Sequence, residues 1–155
     1  MIEEIFRETQ MIDSLHTFRI KNNTPALVHA DRQLMKQALR ILIDNSIKYT
    51  PNHGEILVSV TDKDGMIRVA VQDNGIGIDP QNLPYIFDRF YRSDESRARK
   101  TGGSGLGLAI MKWIVDRHGG SIEVISRKDI GTRTTIILPK AENASSVEIL
   151  PTEAS

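Results

Sequence analysis

The 155-residue chain contains no cysteine, which excludes disulfides, thiolate catalysis and cysteine-ligated zinc. It also lacks net charge, since twenty Lys and Arg balance twenty Asp and Glu. No global field therefore argues for nucleic acid or a membrane surface as a partner, and any electrostatic focusing must be local. No stretch approaches the ~20 apolar residues of a membrane span. The opening Met1-Ile2-Glu3-Glu4-Ile5-Phe6 has neither a basic leader nor an apolar run, so the chain is expected to be soluble and cytoplasmic. None of His16, His29, His53 and His118 has triad or metal-ligand spacing around it; each reads as structural or exposed. No Gly-x-x-x-x-Gly-Lys-Ser/Thr phosphate loop occurs.

What is present is enough for one domain, because an apolar fraction of 39% fills a real core at this length. Helical spacing of Ile5, Ile12 and Leu15 predicts an amphipathic helix over residues 2–15. Short extended stretches at 17–21 and 26–30 flank the turn-forming Asn22-Asn23-Thr24-Pro25. Asp31 is a good N-cap for a helix reaching Tyr49, with Leu34, Ala38, Ile41, Leu42 and Asn45 near one face. A hairpin follows, with strands at 55–61 and 66–72 joined by Asp62-Lys63-Asp64-Gly65. Residues 79–104 are polar, rich in Arg and Ser, and bounded by glycines, which suits a mobile lid. A second long helix runs from Gly105 to His118 and stops at Gly119-Gly120. Strands at 121–126 and 133–138, with Gly131-Thr132 at their turn, complete a domain over residues 1–140. Residues 141–155 read as a disordered tail.

Three separated segments carry candidate chemistry. In Asp44-Asn45-Ser46-Ile47-Lys48-Tyr49, Asn45, Lys48 and Tyr49 share a helix face and offer an amide oxygen, an ammonium and a ring. Magnesium accepts a neutral oxygen beside phosphate oxygens; a capping-region Asn and a solvated Lys are the equally available account. In the second segment Ile67, Val69 and Val71 alternate toward one side, and Asp73 continues that period. A buried carboxylate is costly without a partner, and an exocyclic amine such as adenine's would supply one. Gly75 and Gly77 let the backbone turn and approach a ligand, although an ordinary Asp-Asn-Gly turn also fits. In the third, Gly103-Ser104-Gly105-Leu106-Gly107 opens a helix whose amide groups attract phosphate, or serves as a hinge. Between the last two segments, Arg92 and Arg97 could close over phosphates while Phe87 and Phe90 pin the lid, or the stretch is a solvated charged loop with one buried aromatic. Together the segments describe a site for ATP and magnesium.

The set, in this order, resembles the catalytic ATP-binding domain of sensor histidine kinases, within the superfamily that includes DNA gyrase, Hsp90 and MutL. Asp44 to Thr50 looks like the asparagine box, Asp73 to Ile78 like the first glycine box, Phe87 to Arg92 like the phenylalanine box, and Gly103 to Leu108 like the second glycine box. The resemblance implies an α+β fold: a two-layer α/β sandwich of the Bergerat type, with a mixed sheet backed by about three helices under a mobile ATP lid. It implies that Asn45 holds magnesium, that Lys48 and Arg92 contact phosphates, that Tyr49 packs near adenine and that Asp73 accepts from its amino group. Gly77 and Ile78 would line the base pocket, and Gly103, Ser104, Gly105 and Leu106 would wrap the phosphates. Gly75, Tyr91, Arg97, Gly107 and Thr134 complete the implied ATP-binding set. The family reaction passes the γ-phosphoryl group to a histidine on a separate dimerisation helix hairpin, and then to a response regulator.

The sequence departs from that pattern in three places. Ile41 stands where many members carry a second asparagine and where the gyrase, Hsp90 and MutL branches carry the glutamate that activates water, so efficient hydrolysis is disfavoured. Gly131-Thr132-Arg133-Thr134 has threonine where phenylalanine is frequent. No histidine sits in the His-Asp/Glu-x-x-Thr/Asn acceptor pattern; His16 is followed by Thr17-Phe18-Arg19-Ile20. The chain therefore reads as an excised, monomeric catalytic domain with acceptor hairpin, sensor and membrane anchor elsewhere in a parent protein. A gyrase-like ATP hydrolase and a non-catalytic nucleotide-binding regulatory module remain the alternatives.

Overall fold

The computed structural model describes residues 1–23, 26–89, 106–141 and 147–148. Along the chain the elements are α1 (Ile2–Ile12), β1 (Thr17–Asn23), β2 (Leu27–Val28), α2 (Arg32–Lys48), β3 (Glu55–Lys63), β4 (Met66–Asp73), a 3-10 turn (Leu83–Tyr85), α3 (Gly107–Arg117), β5 (Ser121–Arg127), β6 (Gly131–Pro139) and β7 (Val147–Glu148). Five strands form one sheet in the order β1-β3-β4-β6-β5. β1 and β3 run parallel, and every other neighbouring pair in that sheet is antiparallel. The expected α+β sandwich with a mixed sheet and three helices is the observed architecture.

Alternation makes the sheet two-sided. Ile56, Val58 and Val60 of β3 and Ile67, Val69 and Val71 of β4 are buried, as the period of two requires. Against this face pack α2, through Met35, Ala38, Leu39, Leu42 and Ile43, and α3, through Met111, Ile114 and Val115. The β3–β4 hairpin closes through Asp64 and Gly65, both at positive φ (54° and 76°), the pairing twist of a two-residue loop. This fixes the register that carries Asp73 to the end of the buried row.

The structure differs from expectation in several places. α1 ends at Ile12, because the Asp13 carboxylate captures the amides of Leu15 (2.7 Å) and His16 (3.2 Å) and so competes with the helix ladder. Its buried face is Ile2, Ile5, Phe6 and Thr9, while Ile12 and Leu15 are exposed. On α2 the buried stripe is Met35, Ala38, Leu39, Leu42, Ile43 and Ser46, rotated from the expected face because α1, α3 and the sheet all pack on this helix. The turn before β6 is Lys128 to Ile130, so Gly131 and Thr132 lie inside the strand, paired with Arg127 and Ser126.

A further difference lies beyond Pro139. The Ala141 amide donates to the Leu27 carbonyl (2.9 Å), Ala141 is buried, and Val147–Glu148 pair with β2. Order therefore extends past residue 140 at these positions, because backbone groups of β2 offer the segment a ladder to join. The extended stretch expected at 26–30 shortens to the two residues of that ladder. Among the described residues no helix is long and apolar enough to cross a membrane.

Candidate functional site

Register sets the floor of the site. One row crosses the sheet as Ile56, Asp73, Thr132 and Ser126, and the next as Val58, Val71, Thr134 and Val124. Asp73 thus faces the helical layer, 8% exposed, as the alternation along β4 predicts. Its Oδ1 accepts from the amides of Gly75 (3.0 Å) and Thr132 (3.2 Å), and the Ser46 hydroxyl also donates to the carboxylate. Burial pushes the Asp73 carboxyl above its ordinary range; these donors oppose the shift without cancelling it. The Ser126 hydroxyl joins the same network: it accepts from the Ile78 amide (2.7 Å), donates to the Gly131 carbonyl (3.1 Å) and meets Thr132 Oγ1 at 2.8 Å.

The loop after β4 is wedged between two backbone segments. The Ile76 amide donates to the Tyr49 carbonyl (3.0 Å), and the Asp129 amide donates to the Ile76 carbonyl (2.7 Å). A Cβ at position 75 would stand 2.1 Å from the Tyr49 oxygen. At position 77, where φ is +70°, it would stand 2.1 Å from the Arg127 oxygen. Only glycine allows this approach at both places. The Asn74 side chain looks away from the site and accepts from the Glu55 amide (2.8 Å).

These elements border one open cleft. Asn45 and Ser46 of α2, with Tyr49 just past its end, form one wall; Ile76, Gly77, Ile78 and Asp79 form the rim. Asn82, Ile86 and Phe87 close the far side with Leu108 of α3, over the floor of Asp73, Val124, Thr132 and Thr134. A base-sized apolar slot with a few convergent polar groups is the usual form of a small-molecule site. The Asn45 side chain makes no hydrogen bond among the described residues.

The structure therefore gathers Asn45, Tyr49, Asp73, Gly77, Ile78 and Thr134 around one space. Gly75 lies beneath it against Tyr49, and Lys48, one turn beyond Asn45 on α2, is exposed. Leu106 and Gly107 open α3, with Gly107 packed toward the Ile41 side chain (3.4 Å from its Cγ2 to a built Cβ). Phe90, Tyr91, Arg92, Arg97, Gly103, Ser104 and Gly105 lie outside the described residues. The early part of the expected lid is locally ordered by turns: the Asn82 amide donates to the Asp79 carbonyl (2.8 Å), and the 3-10 turn follows.

Sequence reasoning missed Ser46, Thr132 and Val124 as site residues. Ser46 was one position from a chosen helix face; Thr132 and Val124 needed the pairing register between β4, β6 and β5. Asn82 carried no signal of its own.

The family described as histidine kinase-, DNA gyrase B- and HSP90-like ATPase matches residues 30–142. The chain belongs to this family. It is 47% identical over 110 residues to the sensor histidine kinase YkoH of Bacillus subtilis, covering 71% of this chain and 24% of that protein. It is 44% identical over 131 residues to the sensor protein CiaH of Streptococcus pneumoniae, covering 82% of this chain and 29% of that protein. The chain thus spans about a quarter of the length of these relatives. Among solved structures, the mycobacterial sensor histidine kinase MprB superposes with a TM-score of 0.79 at 32% identity, covering 90% of this chain and 91% of that one. The catalytic domain of the histidine kinase ThkA gives 0.71 at 28% identity, covering 90% and 94%. Sequence and fold place the chain among the catalytic ATP-binding domains of sensor histidine kinases.

Proposed function

We propose that this domain binds ATP with magnesium and donates the γ-phosphoryl group to a histidine on a separate helical dimerisation domain, from which an aspartate of a response regulator receives it. The observation that carries the reading is Asp73, a buried carboxylate at the floor of a base-sized cleft. Its Oδ1 is occupied by two backbone amides, so the group is held rigidly while an exocyclic amine is the natural donor to what remains. Tyr49 and Ile78 border the base, Thr134 lies on the floor beside it, and the exposed Lys48 meets phosphate charge. Arg92, Arg97 and Tyr91, with the amides of Gly103 to Gly107, belong to the phosphate end of the same reading.

A divalent cation fits this donor set. Among the described residues no three carboxylate or imidazole groups converge, so the ion would take the Asn45 amide oxygen and fill its other positions with phosphate oxygens and water. When bound, magnesium neutralises charge on the phosphates. The chain's own residues orient the nucleotide and exclude water. One solved neighbour, full-length ShkA, is described in complex with AMPPNP at a TM-score of 0.73 and 26% identity, covering 93% of this chain and 31% of that one. That ligand belongs to that protein, and it supports the reading here.

Transfer of label from γ-labelled ATP to a purified hairpin domain of a sensor kinase tests the proposal. Labelled hairpin is the expected result, and binding without transfer would favour a regulatory nucleotide-binding module. Steady phosphate release by the isolated chain would favour a gyrase-like hydrolase. Ile41 argues against the latter, because it is an apolar side chain packed on the core beside Gly107.

A further inference from the structure

Two threonines of β6 face the cleft, and their hydroxyls differ in what they meet. Thr132 lies between Asp73 and Ser126 in its cross-strand row, and its Oγ1 meets the Ser126 hydroxyl at 2.8 Å. Thr134 lies two residues further along the same face, between Val71 and Val124. Both of these neighbours are aliphatic and offer it nothing to bond. Thr134 is 9% exposed, and its hydroxyl has no hydrogen-bond partner among the described residues.

A hydroxyl buried without a partner costs free energy, and valine has nearly the same shape without that cost. Valine at this position would also match the residues on either side. The polar group of Thr134 therefore points to a partner that arrives with the ligand. Its place in the sheet says which part of the ligand that is. Val71 stands two residues before Asp73 on β4, so Thr134 and Asp73 are diagonal neighbours across the β4–β6 pair, about 7–8 Å apart in the backbone. A purine whose exocyclic amine donates to Asp73 turns the same edge toward Thr134. In adenine a ring nitrogen flanks the amine on each side, and each of these nitrogens accepts and does not donate. A hydroxyl supplies the donor that such a nitrogen takes.

We infer that Thr134 is a specificity-determining residue of the base end: its hydroxyl donates to an adenine ring nitrogen beside the exocyclic amine. The floor of the cleft then reads two neighbouring positions of the base, the amine at Asp73 and the ring nitrogen at Thr134. The inference rests on the cleft being the ATP site.

Calorimetric titrations of the wild type, Thr134→Val and Thr134→Ser with ATP, 1-deaza-ATP and 7-deaza-ATP test this, together with melting curves of the three proteins free of nucleotide. Each analogue replaces one of the two flanking ring nitrogens by C–H, so the pair shows which nitrogen Thr134 reads. The wild type should bind one analogue about three- to tenfold more weakly than ATP, the weight of one hydrogen bond. Thr134→Val should lose affinity for ATP by a similar factor and lose that discrimination with it, whereas Thr134→Ser, which keeps the hydroxyl, should retain it. Free of nucleotide, Thr134→Val should melt at or above the wild type, since no bond within the fold is lost. A Thr134→Val protein that discriminates the analogues as the wild type does would overturn the proposal, and so would a wild type that binds both analogues as tightly as ATP. A nucleotide-free Thr134→Val that melts well below the wild type would overturn it too, because the hydroxyl would then be bonded inside the fold. In each of these cases ATP binding by the wild type leaves the nucleotide-site reading standing. A wild type that binds neither ATP nor the analogues overturns that reading, and the proposal with it.

Discussion

The two ends of the cleft are built on different principles. The base end is made of sheet: Asp73, Thr132 and Ser126 lie in one cross-strand row and share a network of hydrogen bonds with one another and with the glycine loop. The metal end is one turn of α2, where Asn45 makes no side-chain hydrogen bond among the described residues and Lys48 is exposed. A rigid, prepaid network suits recognition of a flat and invariant base. An open amide and an exposed ammonium suit an ion whose remaining ligands arrive with the nucleotide. The contrast predicts that base-end substitutions act on both fold and binding or on affinity alone, whereas metal-end substitutions act only when metal is present.

The largest effect is expected at the hinge of the base end. Gly75→Ala places a Cβ 2.1 Å from the Tyr49 carbonyl oxygen, and the Tyr49 atoms it meets are backbone. Either the loop or the end of α2 must move, at a cost of about 2–4 kcal/mol in stability, read by urea denaturation, with ATP binding lost alongside. Next comes Asp73→Asn. The amide's oxygen keeps the Gly75 and Thr132 bonds, while its NH₂ opposes the adenine amine, so affinity should fall about 10- to 100-fold. Stability should hold or rise at neutral pH, because a carboxylate whose folded pKa is raised is penalised in its ionised form. The sign works as follows: as pH falls through the raised value, the wild type gains fold stability relative to Asp73→Asn and loses nucleotide affinity. Paired melting and titration series at pH 4.5 and pH 7.5 check this; a variant that binds ATP as well as the wild type would remove the distinction between the two ends.

Much of the base end was legible because strands announce their faces. Ile67, Val69, Val71 and Asp73 alternate in the sequence as they do in the sheet, so the direction of the carboxylate followed without coordinates. The donors to it did not, since Thr132 reaches Asp73 only through the β4–β6 register and Ser46 only through the rotation of α2. That rotation was misjudged for a physical reason: a helix packed on three sides buries more than one stripe, and periodicity read for a single face selects Ile41 and Asn45 over Leu39, Ile43 and Ser46. The end of α1 was misjudged for another, the capture of two amides by Asp13, which apolar spacing does not report. The same bonds hide the contact of His16 with the Thr50 carbonyl, 34 residues away in sequence.

The smallest predicted effect most sharply separates the ends. Asn45→Ala removes the one amide oxygen the wall offers and leaves the Asp73, Thr132 and Ser126 network untouched. In magnesium, ATP affinity should fall about tenfold or less, the scale of a single neutral ligand among several supplied by phosphate and water. With the metal chelated, the variant and wild type should bind nucleotide alike, because without an ion only the base end discriminates. The double variant with Asp73→Asn should then be additive in metal-free buffer and in magnesium. A coupling between the two would mean that Ser46, which follows Asn45 on α2 and donates to Asp73, transmits strain from one end to the other. An Asn45→Ala defect that persists under chelation would place Asn45 in base recognition rather than at the metal.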